Sequence, residues 1–286
     1  MAKRSEGAHR KRAAGLALAA GLAFATTAHG QADTLRIGLV AAGADTAGLV
    51  HGVRLGVEEA ARSATLLGRA VELYVDADAE TLVERDRVQA LVGGREDDEC
   101  RRLAKVAEAR GVLFLNVGCA ADALRGAECR RSAFHVAPSE AMLGEAAGGG
   151  GRAMAWHPSL ERFGAEQLRD RHRARFGEEM DSQGWAGWFA VKVLWESTLR
   201  ARSADPAALI AHIERESTQF DGHKGRPLSF RPWDHQLRQP LYAVSPSGEV
   251  AEVPSAPRES GIPSKELLDR IGTTAAETAC RWNSGR

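Results

Sequence analysis

The sequence predicts an α/β fold, a parallel sheet flanked by helices. Three observations carry that expectation. Short β-rich runs alternate with stretches of helical spacing between residues 35 and 117. The runs "VQALV" and "GVLFLNV" are almost wholly apolar, as strands covered on both faces are. After residue 143 the pattern changes to helices and then a closing β pair.

The elements follow in order. "LRIGLVA" (35–41) is a strand that ends in the loop "AGADTAG". From Leu49, the positions Leu49, Val53, Val57, Ala60, Ala61 and Ala64 recur at helical spacing. "RAVELYV" (69–75) alternates as a strand, and "VQALV" (88–92) and "GVLFLNV" (111–117) are two more. Leu103, Val106 and Ala107 mark a helix between the last two. Only about a dozen residues separate Val75 from Val88, near the minimum for a parallel crossover, so that helix is predicted to be very short. In the second half, 158–177 is predicted as one helix, with Leu160, Phe163, Leu168, His172 and Phe176 near one stripe. Asp181 or Ser182 caps the next, whose buried stripe is Trp185, Trp188, Phe189, Val193, Trp195 and Leu199. Asp205 followed by Pro206 starts another. "RPLSFRPWDHQLRQPLYAV" (226–244) is predicted as two strands joined by a polar turn.

The first residues stand apart. "MAKRSEGAHRKR" is a basic head, "AAGLALAAGLAFATTA" an apolar run too short to span a bilayer, and "HGQADT" offers small residues for cleavage after Gly30 or Ala32. Residues 1–32 are therefore expected to be a secretory signal peptide, and 33–286 a periplasmic protein. Lys+Arg and Asp+Glu balance at 38 each, which gives no basic face for nucleic acid and no acidic tail. Four cysteines in an exported chain permit two disulfides in three pairings. Cys129–Cys280 is favoured because it ties the C-terminus back to the body, with Cys100 beside Cys119. None of the four has the spacing of a zinc site.

No catalytic constellation emerges. GxSxG, GxGxxG and GxxxxGK[ST] are all absent, and "GGGG" (148–151) has neither a preceding strand nor a following Lys-Ser/Thr. His157, His172 and His235 are scattered rather than paired. Asp76 and Asp78 in "DADAE", and Asp97, Asp98 and Glu99 in "REDDEC", are weak candidates for a hard cation such as calcium or a lanthanide. Acids at helix starts, where they favour the positive end, are the plainer reading. A non-enzymatic protein without cofactor is expected.

Four segments carry a family resemblance. "LRIGLVAAGADTAGLVHGVRLGVEEA" resembles the start of type I periplasmic solute-binding proteins of the branched-chain amino-acid and amide group. "GVLFLNVGCAADALRGAECRRSAFHVAPS" resembles the fourth strand of their first lobe and the run to the hinge. "SQGWAGWFAVKVLWES" and "FDGHKGRPLSFRPWDHQLRQPLYAV" resemble a late helix and the closing segment. "AWHPSLERFGAEQL" and "PLSFRPWDHQLRQPLY" are closer to a subgroup of ABC-transporter binding proteins associated with pyrroloquinoline-quinone-dependent alcohol oxidation.

The resemblance implies an exported ligand-capture component of an ABC importer. Its partners would be a membrane permease, an unidentified small solute and a quinoprotein alcohol dehydrogenase. It implies a type I first lobe over 35–143 and a Gly-rich junction over 144–157. The remainder, 158–286, would be helices and a closing β pair, with the second lobe largely deleted at "GEAAGGGG". Ligand contacts are expected at strand-end loops, from Asp45, Thr46, Gly94, Arg95, Asp97 and Asp122, with Trp185 as an aromatic wall. The loops "VGGRED" and "NVGCAAD" lack the hydroxyls that hold an amino acid's α-carboxylate, so a branched-chain amino acid is a poor ligand expectation. Two rivals remain: an accessory protein of the alcohol-oxidation system that has lost ligand capture, and the cation binder.

Overall fold

A computed structural model describes residues 34–41, 46–148, 150–256 and 260–282, with Met1. The expected signal peptide therefore lies outside the described residues, as does Asp45.

Eight elements build the first unit: β1 (Thr34–Val40), α1 (Ala47–Leu66), β2 (Ala70–Asp76), α2 (Ala79–Glu84), β3 (Ala90–Gly93), α3 (Asp97–Arg110), β4 (Leu113–Asn116) and β5 (Ala133–His135). The strands form one sheet in the order β2-β1-β3-β4-β5, parallel throughout. The expected strand–helix alternation is present, and the short crossover is the six-residue α2. Alternate side chains serve opposite faces, as the period of two requires. Ile37, Val92 and Leu115 enter one core, whereas Leu91 and Phe114 enter the other with Leu103 and Ala107 of α3.

The chain then enters α4 (Glu140–Ala147), capped by Ser139, and turns through glycines into β6 (Arg152–Met154). Gly148 and Gly150 have φ of +59° and +124°, which a side chain would strain. The described glycines of the quartet, Gly148, Gly150 and Gly151, thus lie between helix and strand. Beyond it come α5 (Ala165–Phe176), α6 (Ser182–Ala201), α7 (Pro206–Ile213), β7 (Phe220–Asp221), β8 (Pro227–Phe230), β9 (Leu237–Arg238), β10 (Leu241–Val244), β11 (Val250–Val253) and α8 (Ser264–Leu268).

Helix α6 belongs to the first unit, although it lies far away in sequence. It crosses α1 where glycines remove the side chains: a Cβ on Gly52 would overlap the Gly184 carbonyl, and one on Gly187 would meet Leu49 and Val53 at 3.0 Å. Asp181 caps it, accepting from the Gly184 amide at 2.7 Å, and Asp205 caps α7, as expected. Its tryptophans are core: Trp185 is fully buried, and Trp188 and Trp195 bond Glu59 and Ser63 of α1 through Nε1.

Two expectations are corrected. The helix predicted over 158–177 begins only at Ala165, because Phe163 and Gly164 take positive φ and break the pattern. The polar turn predicted within 226–244 joins β8 to β9, which pair antiparallel as expected, but the second predicted strand is broken, its residues forming β9 and β10 in different sheets. Strand β8 pairs β7 and β9, while β10 joins a separate sheet of order β11-β10-β6. Pro240, which has no backbone N–H, stands between β9 and β10 where the chain leaves one sheet for the other.

That second sheet is small. Among the described residues its buried cluster is Met142, Ala146, Leu241 and Ile271, set against thirty-seven in the largest core. The disulfides are Cys100–Cys119 and Cys129–Cys280, with Cα atoms 6.5 and 5.6 Å apart, the favoured pairing.

Candidate functional site

Strands β4 and β5 end side by side, with Asn116 in register with His135. Beyond their carboxyl ends lies a cleft of ≈ 200 Å³. Val117, Gly118 and Ala120 line it from the β4 loop, and Ala137 and Pro138 from the run out of β5. Leu143 of α4 and Ala153, Met154 and Ala155 of β6 face them, with Ser182, Gln183 and Ala186 from the start of α6. The ends of parallel strands are where open α/β sheets hold ligands.

A buried polar network fixes the β4–β5 side. Asn116 Nδ2 donates to the Cys119 carbonyl at 2.9 Å and to His135 Nδ1 at 3.0 Å, while its Oδ1 accepts from the Cys119 amide. His135 Nδ1 is therefore an acceptor. Burial, and next the Arg125 charge, hold this imidazole well below its usual pKa, hence neutral. Arg125 donates to the carbonyls of Ala121, Cys119 and Ala137 and to Gln236 Oε1. Burial lowers its pKa to about 10, so it stays charged, held by oxygen dipoles rather than a carboxylate. Gln236 Nε2 reaches the carbonyls of His135 and Ala137. The "DHQ" stretch thus clamps the closing segment onto the strand ends.

The next residues continue the clamp. Gln239 Nε2 donates to the Val136 carbonyl at 2.6 Å, and its Oε1 accepts from Lys224 Nζ at 2.6 Å. Lys224 Nζ also reaches the Pro240 carbonyl and lies 3.6 Å from the Trp185 ring centre. Burial pushes its pKa well down, while two oxygens and an aromatic face accommodate the ammonium. Lys224 also borders a larger pocket of ≈ 350 Å³, with Phe163, His223, Tyr242 and Glu252. That pocket is away from the strand ends.

None of the six described ligand candidates lines the cleft. Thr46 is the residue before α1 and is buried. Gly94 has φ +93° and packs over the Cys100–Cys119 disulfide, where a Cβ would meet Cys119 Sγ at 3.2 Å. The Arg95 amide donates to the Glu99 carboxylate, and Asp97 opens α3. Asp122 accepts from the Ala141 amide at 3.2 Å, tying the β4 loop to α4. Trp185 is not an aromatic wall: it is fully buried, stacks on Trp156 and Phe189, and donates to the Gly222 carbonyl.

The acid runs have partners inside the protein. Asp78 caps α2 through the Glu80 and Thr81 amides, Asp76 accepts from the Asp78 amide, and Asp98 pairs with Arg101. Among the described residues, no three His, Cys, Asp or Glu side chains converge as metal ligands would.

Sequence reasoning missed most of the cleft. Gln183, Met154 and Leu143 carry no motif, and Ser182 was read only as a cap. Asn116, a polar residue closing the apolar run "LFLN", and the "DHQ" triplet were the available signals.

Residues 36–152 match the family described as periplasmic binding protein. The fold is that of the type I periplasmic binding proteins. A periplasmic binding protein from Burkholderia mallei superposes with a TM-score of 0.71 at 14% identity, covering 88% of this chain and 100% of that one. An ABC-transporter solute-binding protein from R. palustris, solved with benzoate, gives 0.66 at 13% identity over 87% and 99%. A leucine-, isoleucine-, valine-, threonine- and alanine-binding protein from Brucella ovis, in its closed conformation, gives 0.64 at 12% identity over 84% and 98%. No curated protein sequence matches the chain. Among the described residues, no helix is long and apolar enough to cross a membrane.

Proposed function

We propose that this chain is a periplasmic solute-binding component of an ABC importer, capturing a small molecule without chemistry. The observation that carries the reading is the cleft at the carboxyl ends of β4 and β5, built on a type I sheet and faced by α4, β6 and the start of α6. The family match over 36–152 and the superposed solute-binding proteins support it.

Two finer points belong to the same proposal. The second lobe is reduced to α4, β6, β10 and β11, because the glycine turn stands where further strand–helix units would be expected. The importer serves pyrroloquinoline-quinone-dependent alcohol oxidation, a link resting on the wording of "AWHPSLERFGAEQL" and "PLSFRPWDHQLRQPLY". The permease is then the obligatory partner, and a quinoprotein dehydrogenase the functional one.

The test is a thermal-shift screen of protein recovered from the periplasm, against short alcohols, aldehydes, carboxylates, amino acids, calcium and lanthanum. A captured organic solute at 100 times its Kd should add about 2.7 kcal/mol and raise the midpoint clearly. A shift with the cations alone, or none from a well-folded sample, counts against ligand capture.

A further inference from the structure

The chemistry of the cleft narrows its ligand, given the solute-binding reading above. Of the twelve lining residues, only Ser182 and Gln183 have polar side chains, and none is charged. The Ser182 hydroxyl is already engaged: it accepts from the Trp156 amide at 3.1 Å and donates to the Trp156 carbonyl at 3.2 Å. Nearby backbone groups are engaged too. The Gly118 amide donates to Asn116, the Ala120 carbonyl accepts from Glu140, and the Ala137 carbonyl takes both Arg125 and Gln236. Among the described residues, no hydrogen bond occupies the Gln183 side-chain amide, which is half-buried on the first turn of α6.

Electrostatics excludes one common ligand type. The first amides of a helix attract anions, but here the Asp181 carboxylate already accepts from the Gly184 amide. Asp122 sits behind the α4 side, bonded to Ala141. An entering carboxylate would lose its water and find no cation in the lining. Arg125 is close by in sequence, yet it is buried and turned to the carbonyls of Ala121, Cys119 and Ala137. A dry cavity of about 150 Å³ holds a benzene ring, so the ≈ 200 Å³ cleft has room for a single ring with a short substituent.

We infer that the cleft takes a small, uncharged, largely apolar solute bearing one hydroxyl or carbonyl group, and that the Gln183 amide reads that group. The amide offers both a donor and an acceptor, so it serves an alcohol or an aldehyde alike. The apolar walls supply the affinity, and Gln183 the orientation.

The experiment is titration calorimetry of the periplasmic protein with benzyl alcohol, benzaldehyde, toluene, benzoate and leucine, repeated with Gln183→Leu and Gln183→Arg. Benzyl alcohol and benzaldehyde should bind at least about tenfold more tightly than benzoate or leucine, because neither charge finds a partner. Gln183→Leu should weaken benzyl alcohol about three- to tenfold, one hydrogen bond's worth, and leave toluene unchanged. Gln183→Arg should raise benzoate affinity by supplying the missing cation. Benzoate or leucine binding the wild type more tightly than benzyl alcohol would overturn the ligand class while sparing solute capture. Binding of benzyl alcohol indifferent to Gln183→Leu would overturn the role of Gln183. Silence from all five probes in a cooperatively folded sample would overturn both this inference and the solute-binding reading.

Discussion

The two walls of the cleft are built on different scales. One is the rim of a five-stranded parallel sheet with cores on both faces, in which Leu35, Ile37, Leu39, Leu113 and Leu115 are fully buried. The other is a three-stranded antiparallel sheet and one eight-residue helix, held by Met142, Ala146, Leu241 and Ile271. Buried apolar area stabilises in proportion to its extent, so the first wall should keep its shape while the second opens locally. On the reading proposed above, a solute would sit against a rigid rim under a light cover, where two-lobed binders close two full lobes around theirs.

The largest effect that would break this comparison lies in the large core. Phe134 is fully buried between Phe230, whose ring centre is 5.3 Å away, and His235, stacked at 4.1 Å. Phe134→Ala should cost about 3–5 kcal/mol and lower the global denaturation midpoint. A loss under about 1 kcal/mol would mean that the sheet is not the stable body.

Leu241→Ala in the small cluster should cost about 2 kcal/mol, the low end for such a truncation. It should appear as faster amide exchange in α4, β6 and β10, with β1, β3 and β4 unchanged. Equal acceleration in both sheets would make the two walls one cooperative unit and end the contrast.

The smallest effect is pH-dependent and belongs to the large body. Burial alone would raise the Glu214 pKa, but hydrogen bonds from Arg131 and His235 outweigh it and hold it at about 2. A folded pKa below the usual 4.5 gives stability that is present above 4.5 and lost as pH falls toward about 2. Glu214→Gln should flatten the acid limb of the stability curve in that window and cost about 1 kcal/mol or less at neutral pH. An unchanged acid limb would show that the pairing contributes nothing.

Much of the first unit was legible in the sequence because parallel strands announce themselves. "LRIGLVA", "VQALV" and "GVLFLNV" are largely buried on both faces and therefore almost wholly apolar. Local rules also placed the caps at Asp181 and Asp205, and the disulfides followed from an even cysteine count and chain layout. The second half read less well. Phe163 and Gly164 delay the start of a helix that apolar spacing alone begins earlier, and β10, besides its hairpin partner β11, pairs with the distant β6. That distant pairing leaves no local trace.

The site was the least legible. Trp185 was expected to face a cleft from near a helix start; here Trp156, Phe189, Lys224 and the Gly222 carbonyl cover it. The role proposed for Gln183 was invisible because it rests on what lies opposite, not on its neighbours in sequence.

The most direct test of a solute held between unequal walls is amide hydrogen exchange with and without saturating benzyl alcohol. The account predicts slower exchange at Val117–Ala120, Ala153–Ala155 and Ser182–Ala186, with the largest gain in β6 on the light side. Protection confined instead to the pocket around Phe163, His223 and Tyr242, with the strand ends unchanged, would contradict it.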